Sequence, residues 1–344
     1  MKRIVFKKKH TLEWENVPEP EITGNNQAIV RPIAVSRCDL DLPIVQGQTL
    51  FRSGIPIGHE FVAEIEETSP EISGVFPKGT KVIIPFQISC GLCPDCSSGH
   101  SKACTSVPFA SHYGMGSSAK EFGGALSEKI FVPFAKQMLI PMPSDADPIA
   151  LAAISDNIVE SWKLVGQWLE KKPNSPVMVL GGFASSIGLY TASLAVGMGA
   201  SEVLYLDDNQ ERLGIAESMG AHAVPYSVLP KSWEKKFPIV ADCHGTKEGM
   251  DFSFRSISTE GIYGTPSIFW TNKLEIPYLE LYNTGAVLKI GRVDSREHIP
   301  EILKKISEKK IQPEKVVTKT CSFEEAVDAW LEPATKLVVK MERT

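Results

Sequence analysis

The chain has no stretch approaching 18 consecutive apolar residues, so nothing in it reads as a membrane span. Its 36 Lys and Arg nowhere pile up in blocks, and 41 Asp and Glu outnumber them, which argues against a nucleic-acid track. The basic start MKRIVFKKKHTLEW has no apolar region behind it, so it reads as a strand with a charged turn and not as a signal peptide. No internal repeat or low-complexity tract is evident. What is present suits ordinary globular domains: 344 residues with 43% hydrophobic content are enough for two cores, at a formal net charge of -5. With no export signal, and with four of the seven cysteines tightly grouped, the chain points to a reduced, cytoplasmic setting.

Four of those cysteines, Cys90, Cys93, Cys96 and Cys104, form a C-x2-C-x2-C-x7-C cluster. Four thiolates so close together fit one closed tetrahedral zinc site, which has no open position for substrate and serves stability or assembly. An iron–sulfur ferredoxin run would have three residues before a fourth cysteine followed by Pro; here there are seven, and Thr105 follows.

Up to about residue 140 the chain is a series of short strand-like runs, AIVRPIAVS, EFVAEIEE, TKVIIPF and LSEKIFVP, separated by Gly and Pro. This predicts a mainly β, barrel-like domain. From Pro148 the pattern changes. DPIALAAISDNIVESWKLVGQWL is helical in character, and then strands (PVMVLGG, SEVLYLDD, FPIVADC) alternate with helices (SIGLYTASLAVGMGA, NQERLGIAESMGA). Such alternation predicts a parallel sheet with crossover helices. A strand (AVLKIG), two helices (EHIPEILKKISEKK, FEEAVDAWL) and a last strand (KLVVKM) follow.

The strand ending in Gly181 and Gly182 leads into a helix with Gly188 early in it, a place that suits a pyrophosphate. A strict G-x-G-x-x-G is absent: Phe183 and Ser185 stand where two of its glycines would be. The looser loop makes Gly182, Ser185, Ser186, Ile187 and Gly188 the candidate cofactor-binding residues. Asp207 ends the next strand, 19 residues after Gly188, where a carboxylate can accept both adenosine-ribose hydroxyls and repel a 2'-phosphate. That favours NAD. Arg212, in the following helix, joins the cofactor-binding set. The alternative is a surface acidic pair opening a turn.

His59 and Glu60 gain significance from Cys38 upstream and Asp156 downstream. Cys, His and a carboxylate make a borderline-soft donor set that suits catalytic zinc with one position left open. Its chemistry would be polarisation of an alcohol oxygen ahead of hydride transfer to nicotinamide. Glu60 is a switchable fourth ligand or an outer carboxylate. The bland alternative is a His59 that only hydrogen-bonds locally. His112 is a further pocket candidate.

With these motifs together, the chain resembles the zinc-dependent medium-chain alcohol and polyol dehydrogenase family over essentially its whole length. The resemblance is carried by the Gly58-His59-Glu60 step, the four-cysteine lobe, FGGALSE before IFVP, VLYLDDNQERLGIAESMGA, and FEEAVDAW before KLVVK. It implies a GroES-like catalytic domain over 1–155 with the zinc lobe at about 88–106, a Rossmann NAD-binding domain over 156–295, and a return to the catalytic domain over 296–344. It implies two zincs per chain: one on Cys90, Cys93, Cys96 and Cys104, and a catalytic one with His59, Glu60 and Asp156 in its ligand positions. NAD would be the cofactor, with Asp207 matching the adenosine-ribose carboxylate and Lys336 at a position that contacts the cofactor pyrophosphate. The substrate would be a small alcohol, sugar or polyol, the assembly a homodimer or homotetramer, with no nucleic-acid or membrane partner.

Family members usually read G-[IV]-C-x-[ST]-D-L where this chain reads AVSRCDLD. Matching Asp39-Leu40 to that D-L puts Ser36 at the ligand position and Cys38 at the proton-relay position. Matching cysteine to cysteine makes Leu40 the relay residue, which cannot carry a proton. Chemistry favours Cys38 as the ligand with Ser36 contributing a hydroxyl nearby, at the expense of a two-residue slip or bulge in the strand. Glu160 is a second departure, since the family usually has Thr or Ser four residues after the third ligand, near the nicotinamide. These departures keep open a second expectation, a non-catalytic member with one zinc acting as a nucleotide-binding or structural protein.

Overall fold

The computed structural model describes residues 1–341. The chain divides into two compact units. The first comprises Met1–Asp156, Asp294–Pro300 and Val317–Thr344; the second comprises Asn157–Val293 and Glu301–Val316. The expected return at residue 296 is therefore too simple: residues 301–316 belong with the second unit. Among the described residues, no helix is long and apolar enough to cross a membrane.

The first unit opens with β1 (Lys2–Lys8), β2 (Thr11–Asn16), β3 (Ala28–Ser36), β4 (Ile55–Pro56), β5 (Glu60–Thr68), β6 (Lys81–Ile83), β7 (Ile130–Val132) and β8 (Ile140–Pro141). The second contributes β9 (Val177–Leu180), β10 (Val203–Asp207), β11 (His222–Pro225), β12 (Phe237–Asp242), β13 (Ile257–Gly264) and β14 (Val287–Lys289). The chain ends with β15 (Lys319–Ser322) and β16 (Leu337–Lys340) back in the first unit.

In the first unit, β2-β1-β4 form a small sheet, and β15-β16-β3-β5-β6-β8 form a larger one, with β7 also pairing to β3. Two irregularities in the β3–β5 pairing, at Ile29/Val30 and Pro32/Ala34, bring Ser36 opposite Glu60. Val30, Ala34, Val35, Val62, Ala63 and Val82 are all buried, and since neighbours such as Val62 and Ala63 point to opposite faces, both faces of this part of the sheet are covered. Gly58 is required where it stands. Its φ is +89°, and a Cβ there would lie 2.9 Å from Leu126 N. The GGAL run explains this crowding, since Ala125 N donates to Gly58 O at 2.7 Å and Leu126 N to Ile57 O at 3.1 Å.

The second unit is a six-stranded parallel sheet in the order β11-β10-β9-β12-β13-β14. Its central strands β9, β10 and β12 are near-continuous, buried apolar runs, as strands covered on both faces are. Met178, Leu180, Leu204, Leu206, Val240 and Tyr263 lie in one core cluster with Phe252 and Phe254 of the helix Lys247–Arg255. That helix, the helix Tyr278–Thr284 and the strands β11 and β13 are not among the expected elements. Asn209 caps the helix Gln210–Ser218 by accepting from Arg212 N, as a short polar side chain does at a helix start. The expected long helix after Pro148 is broken. Short turns at Pro148–Leu151 and Ala152–Ser155 stop at Asp156, whose φ and ψ are -143° and -76°, and helix resumes at Asn157.

Candidate active site

Three donors from distant points in the sequence meet in the first unit. Ligand atoms of Cys38, His59 and Asp156 all lie within 4.8 Å of one another. Cys38 Sγ is 3.4 Å from Asp156 Oδ2, and His59 Nε2 is 3.3 Å from the same oxygen. Each is delivered by a local break in regular structure. Cys38 follows the end of β3, His59 follows the positive-φ Gly58 at the start of β5, and Asp156 occupies the helix break. That break is pinned: Phe61 N donates to Ser155 Oγ at 3.3 Å, and Ser295 Oγ donates to Ser155 O.

The site is buried and rich in ionisable groups. His59 is fully buried and Asp156 only slightly exposed. Burial pushes the Cys38 thiol well up, with Asp156 adding to it. Burial alone would lower the His59 pKa, but Asp41 and the hydrogen bond to Asp156 outweigh it and hold it well above the ordinary value. His59 in turn keeps Asp156 below the usual carboxylate range against its own desolvation. A thiol sulfur, an imidazole and a carboxylate crowded together in a buried site fit a divalent ion, which would take the sulfur as thiolate.

Asp41 is the residue the sequence reading missed. It is buried, its Oδ1 lies 3.4 Å from His59 Nδ1, and its Oδ2 accepts from Cys38 N at 2.9 Å. It therefore lies against two of the three donors at once, where an outer carboxylate on a metal-site histidine would stand. A signal for it was available: Asp41-Leu42 is a second Asp-Leu step, three residues after Cys38, the spacing of the family pattern. With that step as the match, cysteine pairs with cysteine without a slip, and Leu40 stands at the relay position. Ser36 is fully buried, and its Oγ has no hydrogen-bond partner among the described residues.

Glu60 and Lys336 form a completely buried ion pair, Nζ to Oε2 at 2.8 Å, with Lys336 also donating to Arg37 O at 3.0 Å. Burial pushes the Glu60 carboxyl up, to about 7, while Lys336 pulls it down. Lys336, expected at the pyrophosphate, is thus engaged with Glu60. Among the described residues, Glu60 falls outside the three-donor cluster. His112 is buried with its ring stacked on Phe86 at 5.7 Å, and Phe86 lies 5.6 Å from the His59 ring. Phe86 thus lies between the two imidazoles as part of an aromatic wall.

The four-cysteine lobe gathers as expected, with all four sulfurs within 4.8 Å. Backbone N–H groups of Leu92 and Cys93 point at Cys90 Sγ, and Cys90 N points at Cys104 Sγ. The Cys96 N–H holds the Cys93 thiol down, at about 6, whereas burial raises Cys96 and Cys104.

In the second unit, a Cβ at Gly181 would fall 2.2 Å from Asp207 Oδ2, so the loop glycine is imposed by the carboxylate beneath it. Gly182 has a φ of +151°, and Ser185, Ser186, Ile187 and Gly188 form the first turn of the helix Ser185–Gly197. Asp207 is buried and fully engaged. Tyr205 Oη donates to Oδ2 at 2.7 Å, Asn209 N to Oδ1 at 2.9 Å, and Arg212 to both oxygens, at 2.8 Å through Nε and 2.5 Å through Nη2. Asp208 Oδ1, more exposed, is 3.1 Å from the same Arg212.

The model of the alcohol dehydrogenase GroES-like domain matches residues 24–144. An L-threonine 3-dehydrogenase of Paraburkholderia phytofirmans is 30% identical over 274 residues, covering 77% of this chain and 70% of that protein. A probable zinc-binding alcohol dehydrogenase of Mycobacterium tuberculosis is 23% identical over 334 residues, 96% of this chain and 84% of that protein. The solved alcohol dehydrogenase of Thermus sp. ATN1 shares the fold, with a TM-score of 0.88 at 24% identity over 99% of each chain. With a GroES-like first unit, a Rossmann-type second unit and these relatives, the chain belongs to the zinc-dependent medium-chain alcohol and polyol dehydrogenase family.

Proposed function

We propose that the protein is an NAD-dependent, zinc-dependent dehydrogenase interconverting a secondary alcohol, sugar or polyol and its carbonyl. The observation that carries this is the buried Cys38–His59–Asp156 cluster, with Asp41 braced behind it. Those three side chains would hold a catalytic zinc, which supplies Lewis-acid polarisation of the substrate oxygen. Asp41 Oδ1 faces Nδ1 at 3.4 Å, an approach that would favour the proton there and leave Nε2 to the metal side. Phe86 and His112 exclude water from one wall. With Leu40 at the relay position, the substrate proton would leave through Ser36 Oγ or water. Asp207 and Asp208 outnumber Arg212 at the end of β10, which supports NAD over a 2'-phosphorylated dinucleotide.

Self-association as a homodimer or homotetramer has support in a run of exposed apolar side chains. Trp270, Leu274, Tyr278, Leu279, Tyr282 and Ile290 are all exposed in the stretch of chain that contains the edge strand β14. A second reading, a non-catalytic nucleotide-binding member, is favoured by Leu40 alone.

The test is metal content together with NAD reduction over a panel of alcohols and polyols. The wild-type chain is expected to hold two zincs and reduce NAD. Cys38→Ser is expected to hold one zinc and lose activity. Two zincs in that variant overturn the ligand assignment, and one zinc with no nucleotide binding in the wild type supports the second reading.

A further inference from the structure

The segment after Asp156 carries a buried ion pair that the metal cluster does not use. Glu160 Oε2 lies 2.7 Å from Lys163 Nζ, with the two side chains 9% and 3% exposed. Lys163 Nζ also donates to Gly291 O at 2.7 Å and, more weakly, to Thr265 O at 3.4 Å. Lys163 sits in a π-helical turn, Trp162–Gly166, whose disturbed ladder leaves the Lys163 carbonyl to Gln167 Nε2 at 2.7 Å and Trp168 Nε1 at 3.2 Å. Such turns recur at functional positions.

The two carbonyls are what make the pair informative. Thr265 directly follows the last residue of β13, and Gly291 lies two residues past β14. Strand order reverses at β9, between β10 and β12, so β12-β13-β14 form the second half of a doubly wound sheet. A dinucleotide lies outside the carboxyl ends of such strands, one nucleotide to each half. Main-chain carbonyls at those ends are the acceptors that an amide –NH2 on the second base would seek. Here a cation has taken them, with its charge balanced by Glu160. Displacing it would strand two buried charges, which is costly.

We propose that Lys163 is a specificity-determining residue of the second half-site. By holding the carbonyls of residues 265 and 291, it competes with the carboxamide of the nicotinamide ring for these acceptors, and the adenosine diphosphate half carries most of the dinucleotide affinity. This rests on the NAD reading above.

The experiment is titration calorimetry on the zinc-loaded full chain with NAD and with ADP-ribose, which lacks the nicotinamide. The variant is the neutral double substitution Glu160→Gln/Lys163→Met, which leaves no buried charge unpaired. Its ADP-ribose affinity is expected to match the wild type, and its preference for NAD over ADP-ribose to rise by roughly tenfold or more, a difference calorimetry resolves. An unmoved preference, with ADP-ribose still binding both proteins, overturns the role of Lys163 alone. Failure of ADP-ribose to bind the wild type overturns the dinucleotide reading itself, and this proposal with it.

Discussion

In the lobe at residues 90–104, four donors of one kind come from one short segment and are steadied by neighbouring backbone N–H groups. In the Cys38–His59–Asp156 cluster, three donors of three kinds arrive from separate elements and are steadied by the charged side chain of Asp41. The lobe can gather its ligands locally, so its metal would act on folding. The second cluster exists only once β3, β5 and the helix break have met, so a metal there would arrive in a finished cavity. The difference separates a site that contributes stability from one that draws on it.

The largest effect that could sharpen this contrast is in the lobe. Cys96→Ser should remove one zinc and destabilise the first unit, since structural zinc sites in small peptides carry about 10 kcal/mol of apparent binding free energy. Metal content together with thermal melting reads this directly; a full zinc complement and an unchanged melt would break the comparison.

Beside the second cluster, Lys336→Met leaves the buried Glu60 carboxylate without its cation and should cost about 3–5 kcal/mol. Glu60→Gln/Lys336→Met should recover most of that in denaturant titrations. No recovery would mean that Lys336 acts by packing and not by charge.

A buried acid outside both clusters separates metal effects from plain burial. Burial raises Asp242 from 3.8 to about 6, opposed by hydrogen bonds from His244 N and Tyr263 Oη. The folded state therefore binds this proton more tightly than the unfolded chain does. Its stabilising share is full below about pH 4 and lost as pH rises through about 6, amounting to about 3 kcal/mol for two pKa units. Stability of Asp242→Asn minus wild type, followed from pH 4 to 7, should climb by that order; a flat difference excludes the effect.

The smallest expected effect is at Asp41. Asp41→Asn keeps the shape but weakens the hold on the His59 imidazole, and the affinity of the second zinc should fall about 10- to 100-fold, with the lobe zinc untouched. Competitive chelation distinguishes the two metals.

How much was legible in the chain follows from the same contrast. Cys90 to Cys104 could be read because the spacing itself makes the site, and the β9–β10 grammar because apolar runs alternate with helices. Asp41 was overlooked because Asp39-Leu40 offered an equally good local match, and only the fold decides which carboxylate faces His59. Asp156 was placed in a continuous helix because its neighbours favour one; the interruption is held by Phe61 and Ser295, remote in sequence, through their hydrogen bonds to Ser155. Strand β13 went unread because ISTEGIYG carries Gly261 and polar residues that mask its apolar end. Lys163 gave no signal, since nothing local marks an ammonium that will be buried on two distant carbonyls.

The Glu60–Lys336 pair also has a temporal meaning. Its partners are separated by 276 positions. A ribosome that has released the strands around His59 has yet to make the cation that neutralises Glu60, and domains otherwise tend to fold in order of emergence. Until β16 is in place, the nascent catalytic half carries a carboxylate with no counter-charge in its prospective interior. That half should therefore wait for the last part of the chain, while the parallel sheet made in between can fold first.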